Sequence, residues 1–288
     1  MALNVRIMKT RVITSIFITA VLVAILLLSE TFVFSAALSI LAVIAANEVM
    51  RVFELDKKYV VSIPAYLIAL AMPTLSFIML KVLEAPEYKF IIVLALTLFV
   101  FMLYLFVAAV FMKGKLRFES ISAVFMLVMY ITACFSALSV IRYVGGSAGL
   151  FNVGMVFVGA WISDVFAYFT GRLFGKHKLI PEISPKKTVE GAVGAVVCTT
   201  LLMLLYGWIV TLCTALTANY IVLAVSGAIL SVVGQIGDLI ASFVKRERGV
   251  KDYGTLLPGH GGIMDRFDSI LTVSGATMII VLLFAPFA

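Results

Sequence analysis

Apolar runs of about 20 residues recur along the whole chain, each long enough to cross a hydrocarbon core of about 30 Å as a helix. Inside such a core every backbone N–H and C=O needs a protein partner, which leaves only helices or a closed barrel. These runs are continuously apolar, not alternating, and so do not read as barrel strands. The reading is an all-α polytopic membrane protein with about nine transmembrane helices, near 12–28, 33–50, 60–80, 90–112, 121–141, 150–171, 191–213, 221–244 and 270–287. A chain that is 63% hydrophobic and 13% charged fits no ordinary soluble domain. Cys134, Cys198 and Cys213 fall inside apolar runs and read as buried packing residues, not a disulfide framework or zinc site.

The placement of charge orients the chain. All but three of its 22 Lys and Arg residues fall in alternate loops on one side. Only Lys81, Lys89 and Arg142 lie on the other, and Arg142 reads there as a headgroup anchor. Cytoplasmic loops carry the basic excess, so the N-terminus is expected in the cytoplasm and the C-terminus outside. Arg6, Lys9 and Arg11 before the first run resemble a signal peptide, but with spans following at once a retained anchor is expected. The net charge of +7 therefore reflects topology, and no nucleic-acid partner is expected. Residues 1–149 read as a five-helix scaffold. Residues 150–288 read as a four-helix catalytic region with two longer cytoplasmic loops, both within one membrane unit.

Polar residues concentrate after residue 150. In the eighth run Gly234, Asp238, Ser242 and Arg246 recur every four residues, forming one helical stripe with Lys245 beside it. Asp238 either pairs with a nearby Arg or serves a site, because intramembrane acids are costly and usually functional. Asp265 and Asp268 stand three apart where the ninth run begins. They would favour a helix N-terminus; with Asp238 they would also make an all-oxygen set suited to Mg²⁺. His260, Gly261 and Gly262 precede them, and the glycines allow backbone amides to approach an anion. His260 is open between metal ligand, proton donor and phosphate hydrogen-bond donor.

In the sixth run Asp164 lies two turns from Arg172, which it could simply neutralise, or it could join the site. The stretch from Gly171 to Lys176 has the wrong spacing for a nucleotide P-loop. Ser184 is expected to cap the seventh helix with Pro185 in its first turn. Lys186 and Lys187 would then oppose the helix dipole unless an anion binds there, so a phosphate is expected. Glu48 reads as a snorkelling or packing acid.

Together, Ser242, Lys245-Arg246, Lys251-Asp252, His260-Gly261-Gly262, Asp265-Arg266 and Asp268 resemble the C-terminal hallmark of the phosphatidate cytidylyltransferases, or CDP-diacylglycerol synthases. The stretches Asp164–Gly175 and Ser184–Gly191 are similar to that family as well. The resemblance is firm from Trp161 to Asp268, with no departure at a hallmark position. It implies a nucleotidyltransferase that takes CTP and phosphatidate to CDP-diacylglycerol and pyrophosphate. It also implies a homodimer in the cell membrane with its site at the cytoplasmic face. Mg²⁺ is the implied cofactor, with Mn²⁺ able to substitute and a second cation such as K⁺ in the site. Asp238, Asp265, Asp268 and Asp164 are the expected metal ligands. Lys245, Arg246, His260 and Arg266 are the expected catalytic groups. Arg172, Ser184, Lys186, Lys187, Lys251, Gly261 and Gly262 are expected to hold phosphate. The nucleophile would already be an anionic phosphate oxygen, which accounts for carboxylates and cations without a Ser/His pair.

Three other functional classes fit the residues less well. A CTP-dependent lipid kinase would need a base for its alcohol. A CDP-alcohol phosphotransferase pattern is absent, because Val165-Phe166-Ala167-Tyr168 follows Asp164. An anion transporter would show broken helices or inverted repeats.

Overall fold

The computed structural model describes residues 14, 16, 19–112, 115–257, 259 and 261–288. Eight helices among them are long and apolar enough to cross a membrane. The first expected span is helical over residues 19–27, here α1, and at residues 14 and 16, while 12, 13, 15, 17 and 18 lie outside the described residues. The chain divides into two compact units, Met1–Tyr143 with Val250–Arg266, and Val144–Gly249 with Phe267–Ala288.

The first unit contains α2 (Phe32–Val52), α3 (Tyr59–Phe77), α4 (Glu87–Phe111) and α5 (Phe118–Val144). Thr31 caps α2, its hydroxyl accepting from Val33 N–H at 3.3 Å. Most of α5 is buried, whereas α4 is largely exposed. Hydroxyls tie the apolar helices together: Ser35 Oγ lies 2.7 Å from Ser139 Oγ, and Ser39 Oγ 2.8 Å from Thr74 Oγ1. α3 carries Pro64 and Pro73 internally and passes into a wider π turn over Ile78–Val82. The Pro73 carbonyl accepts from Ser76 Oγ at 2.6 Å and from Ser139 Oγ at 3.3 Å, the latter tying α3 to α5.

Arg142 corrects the headgroup-anchor reading. It is 6% exposed, and its guanidinium donates to Ser29 Oγ at 2.9 Å and Glu30 Oε1 at 3.0 Å. A guanidinium presents several fixed donors, and here they hold the turn between α1 and α2.

The second unit begins with α6 (Gly149–Phe157), which continues through a π turn, Val158–Ile162, into α7 (Ser163–Phe174) as one long span. A two-stranded antiparallel hairpin follows, β1 (Lys178–Ile180) and β2 (Ser184–Thr188), with Lys178 opposite Thr188 and Ile180 opposite Ser184. The remaining helices are α8 (Val189–Cys213), α9 (Tyr220–Glu247) and α10 (Met264–Phe284), the last beginning in the first unit.

The hairpin overturns the expected start of α8. Ser184 lies in β2 and does not cap; Thr188 does, accepting from Gly191 N–H at 3.2 Å. Lys186 and Lys187 stand in the strand instead of an N-terminal turn, where the helix dipole would repel them. The first turn of α8 carries Glu190, the charge that position favours, and its carboxylate accepts from Lys176 N–H at 3.1 Å. All three cysteines are free, but buried packing holds only for Cys134: Cys198 is half-buried and Cys213, at the end of α8, is exposed.

Candidate active site

A cleft of about 290 Å³ opens in the second unit between α7, the hairpin, α8 and α9. Asp164, Tyr168 and Arg172 reach it from α7, Lys186, Lys187 and Thr188 from β2, and Gln235 and Asp238 from α9. On α7 and α9 these positions recur every three or four residues, so each helix presents one polar stripe. Five of the residues singled out from sequence, Asp164, Arg172, Lys186, Lys187 and Asp238, therefore share one cavity.

Inside the cleft Lys187 Nζ lies 2.6 Å from Asp238 Oδ2 and donates to the Gln235 carbonyl at 3.4 Å. Ser242, one turn along α9, donates to Asp238 Oδ1 at 3.4 Å. The pair is sheltered, with 21% of the Lys187 side chain and 29% of the Asp238 side chain exposed. Asp164 accepts from Ser269 Oγ at 3.2 Å, while Arg172 donates to the Tyr168 hydroxyl at 3.3 Å. These are the partners of the two side chains, in place of the Asp164–Arg172 neutralisation left open by the sequence.

Asp268 extends the acidic group from α10. It interacts electrostatically with Asp238 and Asp164, and with Lys245 at the end of α9. Arg246 is exposed in the same last turn. As they stand, no three His, Cys, Asp or Glu side chains among the described residues are grouped closely enough to hold a metal ion.

The rest of the hallmark belongs to the first unit. Lys251 is exposed, and Arg266 is exposed in the first turn of α10. His260 lies outside the described residues. Asp265 is 9% exposed, and its Oδ2 accepts from Tyr253 N–H at 2.8 Å and Gly262 N–H at 3.0 Å. Gly261 adopts φ +83°, a left-handed value that favours glycine, and its carbonyl accepts from Leu257 N–H at 2.9 Å. The glycine-rich concavity does gather backbone amides around negative charge. For Gly262, that charge is the protein's own Asp265.

Sequence reasoning missed Glu48, which is buried and accepts from the amides at the start of α10. Its signal was present: an acid near the end of an apolar run is costly enough to require a partner. Those bonds also explain why α10 begins at Met264, six residues before the apolar run suggested. Thr188 and Gln235 were missed because a threonine before a valine and a lone glutamine carry no distinguishing spacing.

The sequence matches the cytidylyltransferase family over residues 9–284. It is 35% identical over 266 residues to the phosphatidate cytidylyltransferase of Staphylococcus haemolyticus, covering 92% of this chain and 96% of that one. With the phosphatidate cytidylyltransferase of Bacillus subtilis it shares 42% identity over 164 residues, 57% of this chain and 59% of that one. The Staphylococcus aureus (strain COL) enzyme of the same name is 35% identical over 266 residues, again 92% and 96% of the two chains. With a match that runs nearly end to end, the chain belongs to the cytidylyltransferase family.

Proposed function

We infer that this chain is a phosphatidate cytidylyltransferase, a multi-pass membrane enzyme that transfers CMP from CTP to phosphatidate in phospholipid synthesis. The observation that carries the reading is the cleft, where Arg172, Lys186 and Lys187 face Asp164 and Asp238 at the end of apolar helices. Relatives named for this activity match the chain along almost its whole length.

A phosphate oxygen of phosphatidate attacks the α-phosphorus of CTP. A new P–O bond forms, the bond from the α-phosphorus to the bridging oxygen breaks, and pyrophosphate leaves with that electron pair. Both reactants are polyanions, so the barrier is dominated by charge repulsion and positioning. Arg172 and Lys186, both exposed at the cleft, and the sheltered Lys187 offset that charge, and Lys187 acts more strongly than it would in open water. The attacking oxygen is already anionic, so no general base is required. Lys187 is held by Asp238 and the Gln235 carbonyl, which aims its ammonium into the cleft before substrate arrives.

The acids have the donor chemistry of a hard divalent-ion site, though as they stand they are not grouped closely enough to enclose an ion. Asp164, Asp238 and Asp268 come from three helices, interact electrostatically, and offer only oxygen donors, the set that suits Mg²⁺. Mg²⁺ is the proposed cofactor, with Mn²⁺ as a substitute and K⁺ as a second cation, and holding it would need these three carboxylates to draw closer than they stand. Bound there, the metal would supply charge neutralisation at the phosphates. A homodimer in the cell membrane, with its N-terminus and site on the cytoplasmic side, completes the proposal, because CTP is water-soluble and phosphatidate lies in the bilayer. The basic excess in alternate loops supports that orientation.

The test uses purified protein in mixed micelles with phosphatidate, Mg²⁺ and CTP labelled at either the α- or the γ-phosphate. Lipid-linked α-label with release of pyrophosphate is the expected result. Lipid-linked γ-label would mean a kinase, and no labelled lipid would remove the transferase reading.

A further inference from the structure

Glu48 lies near the end of α2, outside every motif that carries the reaction, yet it is 4% exposed. Its two carboxylate oxygens are engaged separately. Ile263 N–H donates to Oε1 at 2.9 Å, and Met264 N–H donates to Oε2 at 2.8 Å. These amides belong to the start of α10, where N–H groups have no partner within the helix. A capping acid normally comes from the residues just before the helix; this one comes from 215 positions away. Its negative charge also complements the positive end of the α10 dipole.

The loop is shaped to admit this carboxylate. A Cβ at Gly254 would lie 2.6 Å from Glu48 Oε1, and a Cβ at Gly262 would collide with the same carboxylate. Glu48 and Asp265 together take four backbone N–H groups, those of Tyr253, Gly262, Ile263 and Met264. The segment leading into the Asp265-Arg266 part of the hallmark is thereby fastened at two points.

We propose that Glu48 is a positioning residue for cytidylyl transfer, capping α10 so that its helical register begins at Met264. Asp265 and Arg266 stand in the first turn behind that cap. Without it the first turn loses the partners of its free amides and can fray, which would release both side chains from their present directions. The proposal rests on the transferase reading above, and its test separates the two.

Two variants are compared with wild type as purified full-length protein in detergent and mixed micelles. Glu48→Gln keeps the side-chain volume but sets an NH₂ against one of the two amides. Gly262→Ala keeps the charge and introduces the colliding methyl; Gly262 does not have a positive φ, so the methyl acts through that collision. Hydrogen–deuterium exchange is followed for peptides covering 256–264 and for the other helices. Turnover is expressed per folded molecule.

For both variants we expect exchange over 256–264 to rise at least tenfold while α2 and α5 stay protected. We expect kcat to fall at least tenfold and KM for CTP to change less than threefold. Raised local exchange with kcat within twofold of wild type would overturn the positioning role. Loss of protection throughout α2 and α5 in Glu48→Gln, with wild-type behaviour in Gly262→Ala, would reduce Glu48 to a general folding residue and also overturn it. Wild-type protein that makes no CDP-lipid would instead overturn the transferase reading, and the exchange result alone would then decide whether Glu48 caps the helix.

Discussion

Replacing Lys187 with Ala removes the cation that lies 2.6 Å from Asp238 Oδ2 and leaves a sheltered carboxylate without it. At an effective dielectric constant of about 20, charges this close attract by roughly 6 kcal/mol before desolvation is subtracted. Desolvating both groups offsets most of that. Removing one partner from a buried pair costs about 3–5 kcal/mol. Both side chains here keep some solvent access, which brings the expected loss of stability to roughly 1–3 kcal/mol. Turnover should suffer separately, since an ammonium aimed at transferring phosphates is worth about 3 kcal/mol, or about 10²-fold in kcat/KM. The assay is a double-mutant cycle of Lys187→Ala and Asp238→Asn, read by unfolding free energy in detergent and by lipid-linked CMP formation. Stability should be non-additive, with the double variant recovering about 1–2 kcal/mol over the summed single losses. Activity should not recover in the double variant. Additive stabilities, or a Lys187→Ala enzyme within threefold of wild-type kcat/KM, would refute the reasoning.

Both described bonds to Asp265 end on Oδ2, so Asp265→Asn can keep them with its amide oxygen, while Asp265→Ala cannot. The Asn variant is expected to unfold within about 1 kcal/mol of wild type and to lose turnover at least 100-fold. The Ala variant should lose about 2–4 kcal/mol as well. An active Asn variant would remove the Asp265 charge from the chemistry. Lys186→Ala should raise KM for CTP at least fivefold with little change in folded yield; an unchanged KM would return Lys186 to a topological role. Thr188→Val deletes the cap of α8 and should cost about 1 kcal/mol by denaturant or thermal unfolding, and unaltered stability would show that the cap is dispensable. Arg142→Met should destabilise the protein by roughly 1–3 kcal/mol through Ser29 and Glu30 while sparing kcat per folded molecule; a selective loss of kcat would contradict a purely structural role.

Helical periodicity made the α9 stripe legible, because Asp238 and Ser242 are neighbours on any α-helix, and the structure joins them by a hydrogen bond. The cationic clamp was legible by composition but not by geometry. Lys186 and Lys187 were expected in the first turn of a helix, whereas pairing of Ser184–Thr188 with Lys178–Ile180 makes them strand residues lining the cleft. Strand pairing depends on a partner segment and leaves little mark in five residues. Arg142 failed for a related reason. Its neighbours along the chain place it at a membrane edge, and only Ser29 and Glu30, more than a hundred residues away, show that it is buried.

Hydrophobic run length and the side of the charged loops are properties of the chain against a bilayer, so sequence by itself determined the helical membrane class and an expected orientation. The hallmark residues, being local, were also readable there. Which acids meet which cations, and that a carboxylate from α2 starts α10, depended on tertiary structure. A hydrogen bond is decided within about 3 Å of space, and no spacing along one chain specifies a contact across 215 residues.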